Sequence, residues 1–278
     1  MSFRPKKPYF PDRFYRVDLL LAVLAGFTVA AVTTPVGISG AVLLLPVQLS
    51  ALGMHGPAVS ATNLLYNVVA TPLGLRRLVR SARGHGTEMA VAVVAAVPCS
   101  IVGAAVRVTW LSDPDLFRAL LAVLMFGMGL RLLIVRSRKR PEPAPNAPAR
   151  GRGVLALAAG GAALFGAAVG IGGGSLLAPL LVGVGGWLTS RAAVVALSTT
   201  LTTSVVGLTA YAVFDLVGFG AAPATPDWGV GLALGVGGMA GSLVGIGLSR
   251  RLGEQPLRFL LGGLILLTGV SYLVGLVR

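Results

Sequence analysis

Gly170-Ile171-Gly172-Gly173-Gly174-Ser175-Leu176-Leu177-Ala178-Pro179 lies inside an apolar run, 154–184, long enough to enter a bilayer. Three consecutive glycines do not arise from helix propensity, because each costs about 1 kcal/mol against Ala. A break in such a run leaves backbone N–H and C=O groups unpaired in lipid. It is tolerated only where protein or a water-filled cavity covers it. The half-helix that restarts beyond the break points its N-terminus into that cavity, where the dipole favours an anion. The same arrangement occurs earlier as Gly37-Ile38-Ser39-Gly40-Ala41-Val42-Leu43-Leu44-Leu45-Pro46, with glycine, isoleucine and proline at a constant offset from the later copy. The chain therefore reads as a duplication.

Around these tracts the apolar residues come in runs of about 20, separated by short charged loops. Of 278 residues, 55% are hydrophobic and 12% charged, where soluble domains carry about a quarter charged. That predicts a polytopic integral membrane protein, multi-pass in the inner (plasma) membrane with the lipid bilayer as its surroundings. A formal net charge of +14 would suit nucleic acid. The Lys and Arg residues, however, crowd into loops flanking the apolar runs: Arg4, Lys6, Lys7, Arg13 and Arg16, then Arg76, Arg77, Arg80 and Arg83, then Arg136, Arg138, Lys139, Arg140, Arg150 and Arg152. Orientation signals are distributed this way, so no nucleic-acid partner is expected. One cysteine and two histidines leave no internal disulfide and no Cys/His metal site, and no cofactor is expected. GIGGGS also lacks the lysine of a phosphate-binding loop and sits in no strand-turn-helix unit.

Taken in order, residues 1–17 are basic and proline-bearing, and are expected as a cytoplasmic tail. A first transmembrane repeat, 18–135, holds spans at 18–33, 57–75, 89–110 and 116–135. Its short stretch 42–52 is either re-entrant or the second half of a discontinuous span. Residues 136–153 include PEPAPNAPAR, have no apolar face, and form a linker. A second repeat, 154–278, follows the same plan at 154–184, 190–213, 228–248 and 257–277. The expected fold is an all-α integral membrane protein, a duplicated helical bundle of about eight transmembrane spans with two glycine-broken helices.

The loop charges complicate this plan. In the first half a basic loop precedes the acidic pair Asp113 and Asp115; in the second, Asp215 and Asp227 precede Arg250, Arg251 and Arg258. An inverted repeat leaves such a reversal but needs an odd number of crossings per half. Four crossings per half make the repeats parallel, with both termini inside, and that arrangement is the expectation here. Gly237, Gly241 and Gly245 fall four apart, a close-packing seam for another helix of this protomer or for a homo-oligomer.

Ionisable groups at mid-membrane mark function by default, and this chain has almost none. Asp18, Glu88, Asp215 and Asp227 fall near span ends, and Arg107 and Arg131 read as snorkelling anchors. There is no carboxylate–histidine chain, no Ser–His pair and no carboxylate dyad, which argues against an enzyme. What remains is polar and uncharged. Asn63 and Asn67 share a helical face, and the run STTLTTS offers Ser198, Thr199 and Thr202 in the second half. With Gly37, Ser39 and Gly40 from one break and Gly170, Gly172, Gly173, Gly174 and Ser175 from the other, they would line a midplane site coordinating an oxyanion through neutral donors. The bland alternative is that the hydroxyls bond carbonyls one turn back.

Two copies of a G-I-G-G-G-x-L-x-x-P-type motif, each followed by a small-residue A-x-x-x-S/T span, resemble the TauE/SafE family over residues 18–277. The second copy is the closer match; in the first, Ser39 replaces a glycine, and Asn63 and Asn67 stand where small or hydroxyl residues are more usual. The resemblance implies a duplicated membrane transporter, without a known cofactor, linked to export of sulfite, sulfoacetate and related organosulfonates. The leading reading is thus a secondary transporter for a small anion. The alternative is a non-transporting membrane scaffold or assembly factor that recruits a partner through the Gly237–Gly241–Gly245 seam.

Overall fold

The computed structural model describes residues 15–34, 39–81, 85–134, 151–252 and 254–277. Most of the tail, the linker core and Gly37 lie outside these. The described residues form ten α-helices and no strand: α1 (Tyr15–Thr33), α2 (Ala41–Pro46), α3 (Pro57–Ser81), α4 (Gly86–Thr109), α5 (Pro114–Ile134), α6 (Arg152–Val169), α7 (Gly174–Gly183), α8 (Thr189–Val217), α9 (Trp228–Leu252) and α10 (Glu254–Val277). A π-helical turn, Val47–Ala51, prolongs α2, and a 3-10 turn, Trp110–Ser112, ends α4. Among the described residues, four stretches are long and apolar enough to cross a bilayer: Gly86–Ser112, Arg152–Val169, Ser190–Val217 and Trp228–Gly245. Their outer faces carry bare Val94, Leu157 and Val236, apolar surface that water would not tolerate in such quantity but lipid does.

Glycine sets how closely these helices pack and in which sense. A Cβ on Gly237, Gly241 or Gly245 would lie 2.1, 2.1 and 2.7 Å from the carbonyl oxygens of Val23, Phe27 and Ala31. The rising numbers on both sides make α1 and α9 parallel. The seam expected to hold another helix therefore holds α1 of the same chain, and no face is left there for a second copy. Gly103 against Leu164 and Gly160 against Cys99 make α4 and α6 parallel in the same way. Gly207 against Leu64 and Gly74 against Leu197 set α3 and α8 antiparallel, and Gly129 and Gly269 do the same for α5 and α10.

The glycine tracts turn the chain back on itself, where a helix broken along one path was expected. Gly170 and Gly172 have φ of 89° and 72°, left-handed backbone that glycine adopts without steric cost. Both of their N–H groups fold over the Gly166 carbonyl, at 2.9 and 3.2 Å. Gly173 then lies beside Ala163, its Cβ position 3.0 Å from the Ala163 Cα. Hence α6 runs the full 18 residues by itself, and α7, with 10 residues, returns beside it as a half-length helix. Leu177 and Leu181 pack in one cluster with Leu155, Ala159 and Ala162 along that return. In the first half Gly40 lies against Val29 and Thr33. Further back, Leu21 and Leu24 face Ala51 and Leu52 across a groove of about 390 Å³. Of the two readings of 42–52, the re-entrant one describes it.

Candidate functional site

The two re-entrant tips meet at α3. Asn67 is 1% exposed and touches both. Ser39 Oγ, from the first tip, donates to Asn67 Oδ1 at 3.3 Å and accepts from the Ala41 N–H at 3.3 Å. Asn67 Nδ2 has no partner and lies 3.2 Å from the empty Cβ position of Gly172 at the second tip. Ser204 Oγ lies 3.4 Å from the same point and is also without a partner, as is the buried Thr203 Oγ1 on the same helix. Buried polar groups are nearly always satisfied by protein or water. These unused donors gather around a close-packed glycine, where a methyl would already lie 2.6 Å from Thr200 Cγ2, so a polar guest reaches them only when the tip moves.

The second tip is fixed from α8. The Gly174 N–H, first in α7, donates to Thr200 Oγ1 at 3.0 Å. A Cβ at Gly174 would lie 2.1 Å from the Ala196 carbonyl oxygen, so only glycine admits this approach. The far end of α7 is held by Arg131, whose Nη2 donates to the Pro179 carbonyl at 2.8 Å. A cation beside a helix C-terminus complements the dipole, so Arg131 does more than anchor α5 at an interface.

Among the residues expected to line a site, the structure separates two groups. Gly40, Ser39, Asn67, Gly170, Gly172, Gly173 and Gly174 lie at or beside the tips. Ser198, Thr199 and Ser175 spend their hydroxyls on carbonyls one turn back, those of Val194, Val195 and Ile171. This is the local bonding that competes with any ligand role. Thr202 is half-buried on α8. Asn63 is committed twice, donating to the Ala41 carbonyl at 2.7 Å and accepting from Gln48 Nε2 at 3.0 Å. It reads as an anchor of α2 on α3. Two neighbouring amides thus carry different expectations. Asn63→Ala strands buried groups at Ala41 and Gln48 and should lower the melting temperature, by about 1–3 kcal/mol of stability. Asn67→Ala deletes an amide nitrogen with no protein partner and one hydrogen bond, from Ser39 at 3.3 Å, and should lower melting less than Asn63→Ala while weakening anion binding. Thermal unfolding of the two variants side by side checks this, and equal destabilisation would remove the distinction.

Sequence reading passed over one further residue, Gln48, and misassigned another, Arg107. Gln48 is fully buried in the π-helical turn, with Oε1 unpartnered. Its signal was available as a lone amide in the apolar stretch 42–52. Arg107 is no snorkelling anchor. It is 1% exposed, with Nε donating to Ser60 Oγ at 3.1 Å and Nη2 to the Gly56 carbonyl at 2.9 Å. Its Nη1 donates to the Leu111 carbonyl, and the guanidinium lies 3.8 Å from the Phe117 ring centre.

Apolar helices of membrane length, two re-entrant tips and a buried polar junction between them define an integral membrane protein of the transporter type. A family model described as sulfite exporter TauE/SafE matches residues 22–272, and the chain belongs to that family. No curated protein and no solved structure matched the chain.

Proposed function

We propose that the chain is a secondary transporter that moves a small sulfur oxyanion, such as sulfite, or an organosulfonate such as sulfoacetate, out of the cell. The observation that carries this is the convergence of unpartnered Asn67 Nδ2 and Ser204 Oγ around Gly172, a junction closed in this structure that an anion would occupy once the tips part. The N-terminus of α7 adds partial positive charge to that junction without a fixed cation. Neutral donors bind an anion weakly enough to release it. Efflux of labelled sulfite, sulfoacetate and sulfate from proteoliposomes tests the reading, and folded protein that moves none of them would overturn it.

Internal symmetry supports the transport reading. Exchanging α1–α5 for α6–α10 in order preserves the packing: α1 on α9 becomes α6 on α4, α3 on α9 becomes α8 on α4, while α3–α8 and α5–α10 map onto themselves. Partners related by this exchange run antiparallel, so the relating axis crosses the helices. That is the arrangement of an inverted repeat: α2 and α7 return toward the face from which α1 and α6 set out, leaving three long helices, an odd number, in each half. Such repeats suit alternating access around a site at their interface.

The same directions sort the charges. Arg76, Arg131, Arg152 and Arg191, together with the carboxylate of Glu88, fall at one face; Asp113, Asp115, Asp215 and Asp227, with Arg107 and Arg118, fall at the other. The basic face is cytoplasmic by the positive-inside rule, and there it concentrates anions for export. On this reading α1 begins at the outer side. With Cys99 replaced by Ala, a cysteine at Asp113 should react with an impermeant maleimide on intact cells, and one at Thr87 only after permeabilisation. The opposite pattern would reverse the assignment. The scaffold alternative has no comparable support, because α1 occupies the seam it relied on.

A further inference from the structure

Arg107 is a full charge buried with no counter-charge. Among the described residues no carboxylate pairs with it; the ion pairs seen are Arg118–Asp115 and Arg191–Glu88. Asp113, in the adjoining turn, accepts from the N–H groups of Asp115 and Leu116. Every group that receives a hydrogen bond from Arg107 is a neutral oxygen: Ser60 Oγ and the carbonyls of Gly56 and Leu111. Removing a guanidinium from water is costly, and proteins ordinarily offset it with a carboxylate. Here neutral oxygens and the Phe117 ring bear the cost in direct contact with the guanidinium, and no bonded carboxylate cancels its field.

Its position relates it to the tips. Ser60 Oγ, which accepts from Arg107, donates to the Ala168 carbonyl at 3.2 Å, two residues before the Gly170 turn. Tyr211 donates to the Ala167 carbonyl at 2.9 Å from the other side. Ser60 and Asn67 lie two helical turns apart on α3, about 10 Å, and the guanidinium, bonded also to the Gly56 carbonyl, lies a few ångströms farther from Asn67, about 10–15 Å in all. Across that distance in a partly polar interior, a unit charge changes the affinity for an anion on the order of tenfold per unit of ligand charge.

We propose that Arg107 is the charge-selecting residue of the Asn67 site: a positioning residue that never touches the anion, but whose field favours divalent over monovalent sulfur oxyanions. The proposal rests on the anion-transport reading above. Its test is competition of labelled sulfite efflux from proteoliposomes by sulfate, by methanesulfonate and by uncharged dimethyl sulfone, for the parent, Arg107→Gln and Arg107→Lys. Arg107→Gln should weaken sulfate about a hundredfold and methanesulfonate about tenfold, and leave the sulfone unchanged. Arg107→Lys, which keeps the charge but loses the forked donor geometry, should stay within a few-fold of the parent. Equal weakening of both anions by Gln, or a folded Lys variant as impaired as Gln, marks a purely structural residue and overturns the proposal. Should Gln fail to fold, the Lys variant decides alone: preserved discrimination between sulfate and methanesulfonate supports the field, and lost discrimination refutes it. A parent protein that moves no anion removes the transport reading itself, and the proposal with it. A parent that transports while its variants show no charge dependence removes only the proposal.

Discussion

Gly172→Ala is expected to abolish most anion efflux while leaving a folded protein. The added methyl would sit 2.6 Å from Thr200 Cγ2 and 3.2 Å from Asn67 Nδ2, in the space where the unpartnered donors converge. At φ of 72°, Ala also carries left-handed strain of about 1–2 kcal/mol. The closest neighbour is the end of a side chain that can yield, so the fold survives with a lower melting temperature. Transport does not, because the methyl wedges between Thr200 and Asn67 at the close-packed tip, screens the amide and hinders the tip from moving. A drop of at least about tenfold in labelled sulfite efflux corresponds to a loss of about 1.4 kcal/mol at the rate-limiting step. Parental efflux from the folded variant would show that the tip is a structural turn only.

Gly241→Leu should have the largest effect on stability. Its Cβ would fall 2.1 Å from the Phe27 carbonyl oxygen and 2.7 Å from the carbonyl carbon. Backbone cannot yield as a side chain does, so α1 must be pushed away from α9 along the whole glycine seam. Overpacking at a rigid contact costs about 1–3 kcal/mol or more. Separating the two helices also forfeits the packing that replaces hydrophobic drive in a bilayer. The variant should elute from size exclusion in detergent as aggregate, with little monodisperse protein. Folded Gly241→Leu of normal size would mean that α1 does not depend on this seam.

The membrane character, the two breaks and the closeness of Asn67 to them were legible in the sequence, because each follows from composition or from glycine and amide residues in an apolar run. The direction of the chain after each break was not. Gly170 and Gly172 permit many turns, and only the closure of both N–H groups on Gly166, with Ala163 alongside Gly173, selects the reversal. That choice gives each half a returning pair, α1–α2 or α6–α7, followed by three long helices where four crossings were expected, and the odd number fits the reversed order of loop charges. The site was half legible for a similar reason. Ser198 and Ser204 look alike at the two ends of one hydroxyl run, yet Ser198 bonds its own helix while Ser204 does not, a difference set by which face meets α3 and α6. Arg107 looked like an end-of-span cation because the oxygens that hold it, at Gly56, Ser60 and Leu111, come from separate places in the chain.

The parallel seating of α1 on α9 bears on biogenesis. When α1 leaves the ribosome, the glycines that receive it have not been made, and most of the polypeptide must be synthesised before Gly237, Gly241 and Gly245 emerge. Until then the Val23 to Ala31 stretch waits in lipid or in the care of the insertion machinery. The first half is therefore an intermediate that is finished only by the second.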